Sequence, residues 1–303
     1  MQDLFSQLFV LLFILCLGFL GGRANILPPA FTKGLNALVI QITLPALILA
    51  SMDVEFSIDT LRNSLSLIVV AAVTFALIIL ALEIWRRHSK LNTMQLGIYQ
   101  YLILVGNCAF MGFPVIESMY GSTGLLYAAM CVIPHNLLLY SYSITLFRRG
   151  EKAQWRKVIC NVGFIATIVG FLLFLCPFVL PYPLHHALDW VGNMTIPLAL
   201  LILGSNISHT DLRSILHPLG IWGTSFVRLV GFPAVMIPVL RLLGFSGVML
   251  AVPVVLFATP VALTAASFAQ QYGSDPELTG RGVVLSNLLS IITLPIVAVL
   301  TFL

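Results

Sequence analysis

The sequence predicts an all-α membrane protein of ten transmembrane helices in two inverted five-helix repeats, with helices 4 and 9 broken and crossing. Three observations carry that prediction. The 303 residues are 59% hydrophobic and only 9% charged, where a soluble domain carries about a quarter charged residues; mean hydropathy is +1.04. Two prolines, Pro114 and Pro260, interrupt long apolar segments in the two halves. A proline removes an N–H and clashes with the preceding turn. In lipid the stranded backbone groups cost several kcal/mol each, so such breaks persist only where protein or a watery cavity surrounds them. A pair of interrupted segments in the two halves points to a transporter's binding site. Finally, Gln41-Ile42-Thr43-Leu44-Pro45 is echoed 152 residues later by Asn193-Met194-Thr195-Ile196-Pro197, and Tyr120-Gly121-Ser122 by Tyr272-Gly273-Ser274 at the same offset.

About twenty apolar residues cross the hydrocarbon, and the predicted spans are 4–22, 34–52, 62–83, 94–119, 123–147, 158–180, 187–207, 214–240, 245–271 and 278–302. The first is a span rather than a signal peptide, because its leader carries Asp3 with no Lys or Arg and its apolar run is long. Span 2 holds Gln41, Thr43 and Pro45; span 4 holds NCAFMGFP at 107–114. Span 5 carries Asn136, Tyr140 and Ser143, spaced i, i+4, i+7 on one helical face, and span 10 carries Ser286, Ser290 and Thr293 in the same spacing. The longest polar connector, Arg148 to Lys157, separates a first repeat at 1–150 from a second at 151–303, together one membrane domain of scaffold and crossing bundle. Span 8 contains Arg228, and span 9 contains ATPVA at 258–262.

Charge orients the spans. With the loops after helices 1, 3, 5, 7 and 9 in the cytoplasm, twelve of the fifteen Lys and Arg fall inside and only Arg62 and Arg241 outside. That bias places both termini outside. Five spans per half then force the halves into opposite orientations, so the repeat is an inverted one. The expected location is a bacterial inner (cytoplasmic) membrane, with the lipid bilayer as surroundings.

No length remains for a soluble catalytic domain, and no paired intramembrane aspartates, H-E-x-x-H or Walker loop is found, so the chain reads as a non-enzyme without cofactor or metal. Gly121 to Gly124 resembles a serine-protease loop only superficially, with the serine in the wrong slot. The formal charge of +4 is loop placement, without the aromatic-interleaved basic patch of a nucleic-acid partner. Five cysteines, none in a C-x-x-C pair, read as small packing residues in helices.

The candidate site combines Asn107, Gly112 and Pro114 of helix 4 with Thr259, Pro260 and Ala262 of helix 9. Glycine admits a close backbone, and half-helices that start near the prolines would aim free N–H groups and partial positive charge at the crossing, which favours an anion. The Asn107 amide is placed to hydrogen-bond it. Arg228 is either a countercharge for a carboxylate or a structural partner of a carbonyl, the two readings standing even. Gln41 and Asn193, the amides of the repeated motif, are also expected among the substrate-binding residues. His135, Asn136, Asn287 and Ser290 form a polar or proton relay, against the alternative that His135 is a packing histidine. Glu117 reads as a water-facing carboxylate near the end of helix 4.

These residues resemble the auxin efflux carrier family in its compact bacterial form. NCAFMGFP at 107–114 with Tyr120-Gly121 is similar to that family's helix-4 motif. The stretch from ATPVA at 258–262 through Gln271-Tyr272-Gly273 to SNLLSIITLP at 286–295 is similar to its C-terminal signature, and TLPALIL at 43–49 agrees. The resemblance covers the whole chain. It implies ten helices in inverted repeats, related in fold to bile-acid/sodium symporter-type carriers. It also implies a substrate at the crossing of helices 4 and 9, and an elevator-like movement of a crossing bundle against a scaffold. Homodimers are known in the plant branch. Asn107 is followed by Cys108 and Ala109 where the family's usual second residue after the asparagine is glycine, and the large cytoplasmic loop of plant auxin carriers is missing, so auxin itself is not implied. The expected activity is secondary transport of small organic anions such as mono- or dicarboxylates, with H+ or Na+ as driving ion. The alternatives are a sodium-coupled bile-acid-type symporter and a non-transporting ligand sensor.

Overall fold

The computed structural model describes residues 2–147, 156, 159–176, 180–209, 217–263 and 265–302. Most of the predicted connector at 148–157, and Arg213, lie outside the described residues. The helices run in the order α1 (Gln2–Arg23), α2 (Pro29–Met52), α3 (Ile58–His88), α4 (Thr93–Leu104), α5 (Phe113–Leu139), α6 (Tyr142–Phe147), α7 (Val162–Leu175), α8 (Tyr182–Ser208), α9 (Gly220–Leu242), α10 (Gly247–Phe257), α11 (Ala265–Gln271) and α12 (Pro276–Phe302). Among the described residues six continuous stretches are long and apolar enough to cross a bilayer: Pro29–Met52, Ile58–His88, Cys108–Phe147, Tyr182–Ser208, Gly220–Leu242 and Pro276–Phe302. The remaining predicted spans appear as shorter helices, and those predicted at 94–119 and 245–271 are each divided by a non-helical stretch.

Prolines explain much of the local irregularity. Three π turns occur among the described residues, at Val39–Thr43, Cys108–Gly112 and Val227–Gly231. Each is followed two residues later by a proline, Pro45, Pro114 or Pro233. A proline inside a helix clashes with the carbonyl four residues back. Here those carbonyls belong to Gln41, Phe110 and Leu229, the central residue of each π turn. Widening the turn moves the oxygen away and lets the helix continue. Pro134, Pro238, Pro253 and Pro295 are carried inside helices without one.

This corrects one expectation. Pro114 does not break its helix; it stands in the first turn of α5, behind a π turn. The non-helical stretch is Val105–Asn107, seven residues before it. Pro260, by contrast, lies inside its break. The spacing of the two halves then becomes regular. Asn107 and Thr259 are 152 residues apart, the offset of the Thr43/Thr195 and Tyr120/Tyr272 pairs. The two Tyr-Gly-Ser sites match in backbone too: Gly121 and Gly273 both take positive φ, 59° and 70°.

The chain forms two compact units. The first comprises Met1–Ser66, Ala109–Met130 and Ile159–Thr210. In it α1 lies against the second part of α8, close enough that a Cβ on Gly18 would meet the Leu201 carbonyl oxygen at 2.4 Å. The Ser205 hydroxyl donates to the Leu27 carbonyl at 2.7 Å. Helix α2 packs on α7 and on the first part of α8, and Val39, Phe110, Ala199 and Ile202 form an apolar core. Asp53 ties this unit's loops together, accepting from the Leu180 N–H at 3.2 Å and contacting His185 Nδ1 at 2.5 Å. Asn161 caps α7 by accepting from Phe164 N–H.

The second unit comprises Leu67–Cys108, Cys131–Val158 and Asp211–Leu303. Helix α12 packs on α9, α10 and α11, and α4 on α6 and α9. Asn92 caps α4 through the Gln95 N–H, and Asp275 caps α12 through the N–H groups of Glu277 and Leu278. Tilted ring pairs help fill the interior, Phe75 on Phe257 at 4.6 Å and Tyr101 on Phe147 at 4.4 Å. Both non-helical stretches fall in this unit.

Candidate functional site

The two breaks pair with each other. Gly106 and Val261 form an antiparallel bridge. The Asn107 N–H donates to the Pro260 carbonyl at 2.7 Å, and the Ala262 N–H to the Val105 carbonyl at 3.4 Å. Thus a short sheet-like contact satisfies backbone groups that broken helices would otherwise leave bare. The pairing is buried: Val105, Gly106, Asn107, Thr259, Pro260, Val261 and Ala262 are all inaccessible.

Side chains complete it. Arg228, 2% exposed in the π turn of α9, donates from Nη1 to the Ile103 carbonyl at 2.6 Å and from Nε to the Thr259 carbonyl at 2.5 Å. It therefore binds the C-terminal ends of α4 and α10 together, where a cation opposes the negative ends of both helix dipoles. Of the two readings its sequence position allowed, these carbonyl bonds are the structural one. A Cβ on Gly106 would fall 1.9 Å from Arg228 Nη2 and 2.6 Å from Thr259 Oγ1, so only glycine lets the guanidinium reach both helices. From α12, the Ser286 hydroxyl accepts from the Val261 N–H at 3.1 Å, and Asn287 Nδ2 donates to the carbonyls of Val261 at 3.1 Å and Val283 at 2.8 Å. Ser290 donates only to the Asn287 carbonyl, within its own helix.

Around the pairing, two buried side-chain amide atoms among the described residues have no partner. Asn107, 5% exposed, has its Nδ2 buried without an acceptor, and Asn287, 1% exposed, has its Oδ1 buried without a donor. The Asn287 orientation is fixed, since both Nδ2 hydrogens are engaged. His135, also buried, makes no hydrogen bond of normal geometry at either ring nitrogen and lies 5.9 Å from the Phe75 ring. With Leu104, Cys108, Arg228 and Phe257 it lines a cavity of about 10 Å³, room for about one water. Asn136, its neighbour, is half-buried. A concavity of this unit, about 850 Å³ between α3, α4 and α9, is lined mostly by apolar groups, Leu77, Trp85, Val227 and Phe232 among them, and presents no charge to an anion.

So the structure gathers Asn107, Thr259, Pro260, Ala262, Arg228, His135 and Asn287 in one unit, around one buried pairing. Gln41, Gly112, Pro114 and Asn193 belong to the other unit, where Gln41 and Asn193 are exposed and Gly112 and Pro114 buried. There the buried members of the repeated motif are Thr43 and Thr195, each 1% exposed with an unpartnered hydroxyl. Glu117 keeps one buried, unpartnered oxygen in the same unit. Sequence reasoning passed over Gly106 and left Ser286 out of the site. The signal for Gly106 was the 152-residue offset, which aligns Asn107 with Thr259 and so puts the break beside it; for Ser286 it was the polar stripe on span 10.

An all-helical apolar protein whose interrupted helices pair deep inside it has the build of a membrane transport protein. The chain belongs to the family described as membrane transport protein, that of the auxin efflux carriers, whose profile matches residues 3–156 and 147–298. It is similar to an uncharacterized transporter of Methanocaldococcus jannaschii, 24% identical over 297 residues and 94% of each chain. An uncharacterized transporter of Methanothermobacter thermautotrophicus is 23% identical over 288 residues, again 94% of each. A mouse lysosomal cholesterol signaling protein is 27% identical over 212 residues, which is 63% of this chain and 24% of that protein. The protein is an integral membrane transporter of this family.

Proposed function

We propose that the protein is a secondary carrier of small organic anions, mono- or dicarboxylates, working by elevator-like alternating access with the substrate at the crossing of its two broken spans. One observation carries the reading: beside the paired breaks lies a buried guanidinium with no carboxylate partner among the described residues, and the pairing itself contains an amide Nδ2 without an acceptor. A positive charge that no internal acid neutralises favours an anion in that neighbourhood, and Asn107 Nδ2 is free to donate to it. The wider frame is the one the sequence predicts: ten spans in two inverted five-helix repeats, 1–150 and 151–303, both termini outside and a homodimer in the membrane. The constant offset of 152 residues supports the repeat.

The test is uptake into proteoliposomes of labelled malonate, malate and an aromatic acid. Saturable uptake of at least one, competed by the unlabelled acid, is expected; no saturable uptake of any overturns the carrier. A second reading, a ligand sensor without flux, is favoured by the signalling name of the mouse relative. Tight anion binding with no flux would select it.

A further inference from the structure

Carriers with interrupted spans hold their coupling cation on the unwound carbonyls and C-terminal ends of the half-helices. In this protein six of those oxygens are engaged. Thr259 O accepts from Arg228 Nε, Pro260 O from the Asn107 N–H, Val261 O from Asn287 Nδ2, and Ala262 O from the Ala265 N–H. At the other break Ile103 O accepts from Arg228 Nη1 and Val105 O from the Ala262 N–H. Among the described residues the one charge that meets both helix ends is the arginine itself, whose Nη2 lies against Gly106. A planar guanidinium with five fixed donors suits two diverging carbonyls better than a spherical ion does, and being tethered it stays in place throughout.

We infer that Arg228 is the resident cation of the paired breaks: its guanidinium occupies the place of a coupling ion, and the protein uses no sodium there. The inference rests on the carrier reading only for the word coupling; the occupancy of the junction stands on its own geometry. Removing the side chain should therefore turn the junction into a vacant cation site.

Thermal unfolding of the purified full-length protein tests this without any transported anion. The wild type is expected to melt at the same temperature in sodium chloride and in equimolar choline chloride. Arg228→Ala should melt lower and recover more than half of the lost Tm on adding methylguanidinium, which leaves the wild type unmoved. Arg228→Lys should be intermediate and insensitive to sodium. A saturable sodium-specific rise in the wild-type Tm overturns the inference, as does a folded Arg228→Ala that no cation restores. If Arg228→Ala is not recovered folded, the wild-type sodium titration and Arg228→Lys decide by the same criteria. Absence of anion uptake, by contrast, would remove the carrier and leave this result standing.

Discussion

The break after α10 and the break after α4 are built to the same plan and finished differently. At the second, α12 supplies a hydroxyl and an amide that serve both sides of Val261, and every carbonyl from Thr259 to Ala262 has a donor. At the first, the residue 152 positions before Asn287 is His135, which faces Leu104 and Cys108 across the one-water cavity and bonds to neither. The residue 152 before Arg228 is Ala76. One half thus contributes the fastening, Arg228, Ser286 and Asn287, while the other leaves Asn107 Nδ2 without an acceptor; on the fastening side Asn287 Oδ1 lacks a donor. Buried polar groups without partners are costly, and under the carrier proposal Asn107 Nδ2 is the one that a ligand would engage.

The comparison can be broken most severely at Gly106. Gly106→Ala would drive a methyl into Arg228 Nη2 and separate both breaks; a loss of about 3 kcal/mol or more is expected, read as a large fall in Tm or in folded yield. An unchanged melt would mean that the two backbones do not meet as described. Next comes Asn287→Ala, which strips the buried Val261 carbonyl of its donor and takes one of its donors from the Val283 carbonyl. It should cost about 2–3 kcal/mol of stability. Asn107→Ala sharpens the contrast, since its Nδ2 holds nothing in the protein. Its stability should barely change, while anion affinity falls by about 1–2 kcal/mol. If the two asparagine variants behave alike in both assays, the division into a fastening side and a ligand side is wrong. Smallest is Ser286→Ala, which removes one acceptor from the Val261 N–H; about 1 kcal/mol of stability is expected, with uptake preserved in the folded fraction.

Much of this could be read in advance, for physical reasons that differ by element. Composition fixes a membrane solvent, and in lipid only helices satisfy their own backbone, so the helical class followed from hydropathy alone. The existence of two interruptions was legible because proline chemistry is local. Their position was only half legible. At Pro260 the ring sits in the break, but at Pro114 the chain relieves the same clash by a π turn and breaks earlier, at Val105–Asn107. That choice depends on the pairing of Gly106 with Val261, a contact 155 residues distant in sequence that no window reveals. Arg228 was flagged as a buried cation, but whether it would face a ligand or a carbonyl depended on where the ends of α4 and α10 come to lie. The polar stripe on span 10 was found through its helical spacing, whereas Asn107's missing partner is visible only once every neighbour is in place.

Gly121 and Gly106 show two distinct reasons for the same residue. At Gly121 φ is 59° and ψ is −152°, and a Cβ would find no atom within 4 Å. What forbids a side chain there is handedness alone, because the mirror image of that conformation is ordinary extended backbone. A D-alanine introduced by chemical ligation should be accepted at 121, whereas L-alanine is refused at 121 by its φ and at 106 by the guanidinium its methyl would meet. One position is closed by the geometry of L-amino acids, the other by a neighbour's volume, and synthesis can separate what genetic substitution cannot.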